Sequence, residues 1–482
     1  MTTRSQTRGG LKLETHKHRS TMRPLRAARP AELLTLPLDQ HAGAAARPIV
    51  ATGDLVALGQ PIAEPTADIS AWLHSPVSGR VRAIEPQPSA LHPDTPSLAI
   101  VIENDGADRT HAANQPFDFS NAEPAAIVEH IARGGIVGLG GAIFPTAAKL
   151  ARAPAKSAHL IVNGAECEPW ISCDDMLMRE RASEVIAGAK VLCRAVLAEH
   201  CTIAVEDDMR EAAQALREAV EHAGGGIEVV EVPSIYPAGG ERQLITTLTG
   251  LEVPSGGLPQ DIGILCQNVG TAAAIARWVH DGEPLIRRVV TITGSAIQEP
   301  ANLDAVIGTP LSRLIADCGG FATEPAKLMM GGPMMGIALP TDQFAVLKGM
   351  NCVFAATLRD IQPAGPEMPC IRCGSCSEVC PAILLPQQLH RLALAGEVPE
   401  LDEYGLLDCI ECGCCDYVCP SQIPLVERFR VAKPEVLRYR TMRSMAPEAR
   451  AQFEAREVRL ARLEEERRAR LAEKRRSITS KP

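Results

Sequence analysis

The sequence predicts a multidomain protein of mixed α/β and α+β class, and three observations carry that expectation. Its 482 residues exceed one ordinary core, because at about 150 residues per domain the length suggests three or more. The hydrophobic pattern changes along the chain, from short strands broken by turn signals over 48–85 to alternating helices and buried strands over 123–282. Toward the C-terminal end a cysteine run occurs twice, as Cys370-x2-Cys373-x2-Cys376-x3-Cys380-Pro381 and Cys409-x2-Cys412-x2-Cys415-x3-Cys419-Pro420. The expected divisions are 1–30, 31–105, 120–284, 285–358, 359–435 and 436–482.

Composition narrows the function. Apolar content of 46% supports globular packing, and aromatic content of 3% means cores built from small residues and closely approaching backbones. Few rings and a net charge of −9 argue against a nucleic-acid binder. Nine of the 16 cysteines lie between 370 and 419, while Cys167, Cys173, Cys193, Cys201, Cys266, Cys318 and Cys352 show no pairing pattern. That usage points to a reducing compartment and not to a disulfide scaffold. The N-terminus lacks the apolar core of a secretory signal. Charge-free runs such as 134–148 and 262–276 fall short of the roughly 20 apolar residues that span a bilayer, so the chain reads as soluble or peripheral.

Each segment has its own pattern. Residues 1–30 carry Arg4, Arg8, Lys12, Lys17, Arg19, Arg23, Arg26 and Arg29 against the single acid Glu14. A solvated, mobile arm is the plain expectation, with attraction to an anionic membrane face or an acidic partner as the alternative. Over 31–105, turns at Thr52-Gly53-Asp54, Leu58-Gly59-Gln60-Pro61 and Ser75-Pro76-Val77-Ser78-Gly79 separate short strands in a way that resembles the barrel-sandwich hybrid of biotinyl and lipoyl domains. No lysine occurs over 60–79, so no swinging prosthetic arm is expected. Strands at 159–163, 202–205, 227–232 and 263–266, with helices at 175–199 and 209–222, give an α/β domain with a largely parallel sheet. Ligands in such sheets sit beyond the carboxyl ends of the strands. A small strand-and-helix module follows, then a Pro-rich linker at 362–369. The tail, 436–482, is dense in Arg and Glu with a thin apolar stripe at Phe453, Leu460, Leu463 and Leu471. It reads as a solvated helix supported by i,i+4 ion pairs, a docking helix being the alternative.

The cysteine spacing is that of two-cluster ferredoxins, in which three cysteines of one run hold a [4Fe-4S] cube and the fourth crosses to the other cube. Cys370, Cys373, Cys376 and Cys419 are therefore assigned to one cluster, and Cys409, Cys412, Cys415 and Cys380 to the second. Cys414 falls at an x position and is left out. Structural zinc, with four ligands per ion, would leave both Cys-Pro cysteines idle.

A second chemical site is suggested upstream. The segment Gly134-Gly135-Ile136-Val137-Gly138-Leu139-Gly140-Gly141-Ala142-Ile143-Phe144-Pro145-Thr146-Ala147-Ala148-Lys149 places glycines before a Pro-Thr that can begin a helix. Backbone without Cβ lets a flat ring or a phosphate approach closely. The spacing is not the dinucleotide fingerprint GxGxxG. Asn163-Gly164-Ala165-Glu166-Cys167-Glu168-Pro169, Tyr236-Pro237-Ala238-Gly239-Gly240-Glu241-Arg242 and Gln267-Asn268-Val269-Gly270-Thr271 each follow a strand, so their polar groups can converge on one crevice. The plainer alternative makes Asn163 and Asn268 turn formers and the acids helix caps.

With these segments together, the sequence resembles the flavin- and NADH-binding subunit of respiratory complex I: Gly-Gly-Ala-Ile-Phe-Pro-Thr-x-x-Lys at 140–149, Asn-Gly-Ala-Glu-x-Glu-Pro at 163–169, Tyr-x-Ala-Gly-x-Glu at 236–241 and Asn-Val-x-Thr at 268–271. The module before them and the two ferredoxin motifs after them make the order similar to that of the C subunits of Rnf complexes, ion-translocating ferredoxin:NAD oxidoreductases. The resemblance covers roughly 9–435. It implies non-covalent FMN cradled by Gly138, Gly140, Gly141, Asn163, Asn268 and Thr271 with Lys149 nearby, and a β-grasp ligand-binding-like fold at 285–358. It implies further that Glu166, Glu168, Glu241 and Phe144 face NAD(H), Phe144 by stacking. Complex I has two consecutive acids where this chain has Gly240-Glu241, and its own cysteine motif is replaced here by the ferredoxin pair.

The resemblance implies an electron-transfer subunit between NAD(H), FMN and two [4Fe-4S] clusters, an enzyme subunit of NADH:ferredoxin type. It would lie on the cytoplasmic face of the bacterial inner membrane with other members of the complex and a ferredoxin or ferredoxin-like subunit as partners. Two other readings remain open from sequence: a flavo-iron-sulfur cobalamin reductase, and an electron-relay scaffold that holds no flavin.

Overall fold

A computed structural model describes residues 8–153, 157–361 and 365–479. Arg4 and the linker positions 362–364 lie outside the described residues. The first module pairs two long antiparallel strands, Gly79–Ser89 and His92–Asn104, between Leu55–Val56 and Leu33–Pro37. A three-stranded sheet of Arg47–Pro48, Pro61–Glu64 and Leu73–His74 completes it. Alternation decides the fold of the strands: Leu34, Leu36, Val81, Ile100 and Ile102 are buried, whereas Arg80 and Arg82 point to water.

The α/β domain holds a four-stranded, all-parallel sheet in the order Glu228–Val232, His200–Glu206, His159–Gly164, Ile264–Asn268. Its strands are continuous apolar runs such as Leu160-Ile161-Val162, all fully buried, as expected when helices cover both faces. The helices Ala182–Val196 and Val269–Asp281 cross at Gly188, where an added Cβ would stand 1.8 Å from the Ala272 carbonyl oxygen. The aromatic-poor composition is thus matched by close backbone packing. The helix expected over 175–199 is two helices, Cys173–Glu180 and Ala182–Val196, broken at Arg181. There the backbone leaves the helical region (φ −133°) and the guanidinium bonds buried Asp304 of the following module at 2.6 Å, so a tertiary ion pair overrides local propensity.

That following module is a six-stranded mixed sheet, Arg26–Ala27, Ala301–Val306, Arg287–Thr293, Cys352–Ala356, Lys327–Met330 and Ile337–Leu339, with the helix Leu311–Asp317 packed on it. Four short helices, Ser375–Glu378, Pro386–Ala395, Val398–Glu403 and Cys414–Tyr417, build the cysteine domain. The long helix Leu425–Thr479 closes it, burying Leu425, Val426, Phe429, Ala432 and Val436.

The expectation of a solvated, mobile arm is corrected for residues 8–30. This segment is a strap across three modules, because the acidic partner of its basic residues is the chain itself. Leu11 exchanges backbone hydrogen bonds with Tyr236, and Arg26–Ala27 adds an edge strand to the six-stranded sheet. Lys17 forms a buried ion pair with Glu206 at 2.7 Å, and Arg8, Arg23 and Arg29 pair with Glu252, Glu299 and Asp317. Unlike exposed pairs, worth at most about 1 kcal/mol, the buried pair fixes the strap's register: either charge left alone there would be strongly destabilising.

Lys348 is a second cross-link. Fully buried, it donates from Nζ to the carbonyls of Trp72 (2.7 Å) and Gly135 (2.6 Å), and its backbone N–H donates to the Gln40 side chain (3.1 Å). Three modules meet at one side chain. Burial pulls its ammonium from the ordinary 10.5 down to about 7. The unfolded chain keeps that proton up to about pH 10.5 while the folded chain releases it near 7, so between these values the unfolded state binds more protons and stability rises with pH. Urea unfolding at pH 7 and pH 9.5 should therefore show the parent protein gaining stability relative to Lys348→Met as pH rises. A pH-independent difference between the two would contradict this account of the site.

Candidate redox centre

The two cysteine loops repeat one backbone. Arg372 and Glu411 take left-handed φ values of 58° and 59°, Gly374 and Gly413 take 88° and 78°, and Ile383 and Gln422 take 56° and 53°. Non-glycine residues at positive φ cost energy, and their recurrence at equivalent positions reflects a loop coiled to aim thiols inward.

The crossed arrangement expected from spacing is what the fold brings together. Cys370, Cys373, Cys376 and Cys419 line one small space with Gln387, His390 and Ile423. Cys380, Cys409, Cys412 and Cys415 line another with Leu384 and Phe429. Each set offers four sulfurs in apolar surroundings, and neither Cys-Pro cysteine is idle, so the donor sets fit a cube each. The first set opens to solvent at Cys370 and Cys373, whereas Cys412 and Cys415 of the second are buried. Cys414 lines the second space too. Its thiol is pushed up by a hydrogen bond with Cys412 and by burial.

A cavity of about 650 Å³ lies beyond the carboxyl ends of the parallel strands. Of the residues expected at the flavin and nucleotide sites, Gly140, Gly141, Asn163, Glu166, Glu168, Glu241 and Asn268 line it. Gly141 has φ +110° and open space where a Cβ would be; Gly140 has its nearest neighbour, Asn268 Cβ, 3.3 Å from that position. Gly331, Gly332 and Gly336 also line the cavity, but there the missing Cβ makes room for protein, Gly332 for the Glu168 side chain at 2.3 Å, so the backbone open to a planar group is that of Gly141. The cavity thus fits a flat ring such as that of FMN.

The remaining expected residues stand behind the wall. Gly138 closes the loop by donating its N–H to the Phe144 carbonyl at 2.8 Å. Thr271, fully buried, accepts the Leu139 N–H at 2.9 Å. Lys149 pairs with Glu241 and donates to the Cys266 carbonyl. Phe144 is not among the lining residues, and the Arg152 guanidinium sits over its ring at 5.7 Å.

The polar wall residues are held in place by structural bonds, as the plainer reading of them anticipates. Asn163 donates to the Gly239 carbonyl (2.8 Å) and accepts from Ala165 N–H (3.0 Å). Asn268 caps the helix Val269–Asp281 through Gly270 N–H (2.8 Å) and donates to Asp174 (2.6 Å). Glu166 accepts the N–H groups of Asp174 (3.1 Å) and Asp175 (3.2 Å) at the start of the helix Cys173–Glu180. Burial, then the neighbouring Asp174, push its carboxyl well above the usual range. Glu168 accepts Met334 N–H (2.8 Å) and Met335 N–H (3.0 Å) on one oxygen, and burial raises its carboxyl too.

Sequence reasoning missed the far wall. Met330, Gly331, Gly332, Met335 and Gly336 come from the module after the α/β domain, and their glycine-rich pattern was the available signal. It also passed over Asp174, and it quoted Tyr236 and Arg242 in the segment 236–242 without giving either a role. Tyr236 lines the cavity, and its phenol donates to the Cys412 carbonyl at 2.6 Å. Ile410 lines the cavity beside it. Tyr236 and Ile410 therefore stand between the cavity and the second cysteine set.

Comparisons with known proteins agree with these features. Residues 5–107 match the RnfC barrel sandwich hybrid domain, 131–277 the Nuo51 FMN-binding domain, 289–338 the SLBB domain and 366–420 the 4Fe-4S dicluster domain. The chain is 49% identical over 462 residues to the C subunit of the ion-translocating oxidoreductase complex of Pseudomonas aeruginosa, covering 96% of this chain and 59% of that one. The proteins of the same name from Haemophilus influenzae strain PittEE and Rhodobacter capsulatus are 42% and 43% identical, covering 95% and 88% of this chain and 70% and 82% of theirs. A chain of an NAD+-reducing [NiFe]-hydrogenase in the H2-reduced state is similar at 17% identity and a TM-score of 0.45, covering 67% of this chain and 64% of that one.

The crossed cysteine sets generate a direct test. Anaerobically reconstituted parent protein should hold about eight iron and eight sulfide, as two cubes require. Cys419→Ser should lose the cluster shared with Cys370, Cys373 and Cys376, leaving about four iron, while the Cys380, Cys409, Cys412 and Cys415 cluster keeps its spectrum. Loss from the second set instead, or stoichiometric zinc with negligible sulfide, would contradict the assignment.

Proposed function

Because the chain belongs to the family of C subunits of ion-translocating oxidoreductase complexes, we propose that it passes electrons between NAD(H), FMN and two [4Fe-4S] clusters for such a complex. Its matched regions give the cofactors as FMN and two [4Fe-4S] clusters, and the FMN is proposed to be held non-covalently. The observation that carries the proposal is the shared wall: Tyr236 and Ile410 line the cavity and also pack in the buried cluster of side chains around Cys412 and Cys414. A nucleotide-accessible cavity and a four-thiol site separated by single side chains suit short-range electron transfer. The solvent-open set with Cys370 and Cys373 is then the exit toward a partner.

Bound FMN supplies the exchange between two-electron hydride chemistry and the single-electron steps that iron–sulfur clusters accept. The chain's residues supply the setting. Gly140 and Gly141 offer backbone without Cβ, and Asn163 and Asn268, themselves anchored, present a rigid polar edge. Gly138, Thr271 and Lys149 hold the loop behind them. Glu166, Glu168 and Glu241 form the acidic side on which nicotinamide nucleotide hydroxyls can be received. Glu168 is the best oriented, since both its backbone bonds fall on Oε1 and leave Oε2 to accept from a ligand. Phe144, under Arg152, would have to shed that cation to stack on a nicotinamide.

The reading extends to location and partners. Among the described residues no helix is long and apolar enough to cross a membrane. Membership of a family of complex subunits supports other subunits as partners; the proposal adds a peripheral position on the cytoplasmic face of the bacterial inner membrane and a ferredoxin or ferredoxin-like subunit as a further partner.

Glu168→Gln tests the nucleotide side. Under anaerobic rapid mixing, flavin bleaching by NADH should slow by roughly tenfold to a hundredfold, about 1.4 to 2.7 kcal/mol of transition-state stabilisation. Dithionite should still reduce the clusters at the parent rate. Bleaching at the parent rate would remove Glu168 from the nucleotide site.

A further inference from the structure

We propose that the C-terminal helix is an interfacial anchor that lies along an anionic lipid surface. Beyond its packed first turns, every described side chain from Thr441 to Arg475 is exposed, so this part of the helix Leu425–Thr479 touches nothing in the chain that would bury it. At 3.6 residues per turn, Phe453, Leu460, Leu463 and Leu471 fall on one stripe about 27 Å long. All four are more than half exposed, and exposed Met442 and Met445 precede them before Pro447.

The charges are sorted around that stripe. Arg456, Arg459, Arg467, Arg470 and Lys474 lie on the same half of the helix, where the acids are Glu457 and Glu464, the latter paired with Arg468. Glu454, Glu465, Glu466 and Glu473 lie on the opposite half, where Glu466 pairs with Arg462. A helix that only needs solubility and i,i+4 pairs gains nothing from this sorting. At a lipid headgroup layer it has a use: the apolar stripe enters the boundary, the long basic side chains snorkel to phosphates, and the four acids of the opposite half face water.

A second copy of the chain is a poorer occupant. Arg456, Arg467 and Lys474 sit on the stripe itself, with Glu464 beside them, so pairing two copies in parallel and in register along it would bring like charges together. The intervals of seven, three and eight residues between the stripe's members also break the heptad register that a helical seam needs. A lipid surface asks for no register. The anchor stands independently of the electron-transfer reading.

Sedimentation of the cluster-loaded chain, residues 1–482, with vesicles tests the proposal. Binding to phosphatidylcholine vesicles containing phosphatidylglycerol should be at least tenfold tighter than to pure phosphatidylcholine, and should weaken as salt is raised. Arg456→Glu with Arg467→Glu and Lys474→Glu should reduce binding to the neutral-vesicle level, and Phe453→Ser with Leu460→Ser should weaken binding to both. These positions are exposed, so cluster absorbance and thermal melting should be unchanged. Equal binding to both vesicles, or undiminished binding by the charge-reversed variant, would overturn the proposal. So would a concentration-dependent dimer, seen by light scattering, that the same substitutions abolish.

Discussion

The hydrogen bond from the Tyr236 phenol to the Cys412 carbonyl joins the two chemical halves of this protein. At 2.6 Å in a buried setting it is the phenol's partner in place of water, and burial pushes the phenol up so that it remains a donor. Tyr236 is itself pinned. Its N–H and carbonyl both bond Leu11 of the N-terminal strap, whose Gly10 N–H bonds the Val379 carbonyl beside Cys380. The strap passes so close that a Cβ on Gly9 would stand 2.6 Å from the Cys380 carbonyl oxygen. Cavity wall, strap and cysteine domain are therefore one packed unit, and a change in any of the three alters the separation between the cavity and the second cysteine set.

The same logic recurs between the other modules. Buried apolar packing runs without a break from Leu34 in the first module through the α/β sheet to Phe354. Polar cross-links then fix how the modules face each other: Lys348 across three of them, Arg181 on Asp304, and Glu168 on the Met334 and Met335 amides. The last of these requires glycine next door, because a Cβ on Gly332 would collide with the Glu168 side chain at 2.3 Å. A cavity-lining carboxylate is thus aimed by a loop from a different module. Hydrophobic burial holds such an assembly together but does not set its geometry, since it is non-directional; these hydrogen bonds do.

What was legible in the sequence was local. Cysteine spacing gave the crossed thiol sets, because loop length and the Cys-Pro turn constrain them within one short segment. Apolar runs and turn signals located the four parallel strands; of the polar groups that follow them, Asn163, Glu166, Glu168, Glu241 and Asn268 line the cavity, while Thr271 stands behind it. What required tertiary contacts stayed hidden. No periodicity marks the strap, whose acidic partners, Glu206, Glu252, Glu299 and Asp317, are far away in sequence. Nothing local breaks the helix at Arg181, whose partner Asp304 belongs to another sheet. The far cavity wall at 330–336 and the covering of Phe144 by Arg152 likewise depend on how modules meet.

The central claim is that electrons pass between the cavity and the exposed cluster only by way of the buried one behind Tyr236. Electron paramagnetic resonance of NADH-reduced protein, frozen at successive times, tests it most directly when parent and Cys380→Ser are compared. The account predicts that the variant, lacking the buried cluster, leaves the cluster at Cys370, Cys373, Cys376 and Cys419 oxidised after NADH while dithionite still reduces it. Reduction of that cluster by NADH at the parent rate in Cys380→Ser would contradict the claim.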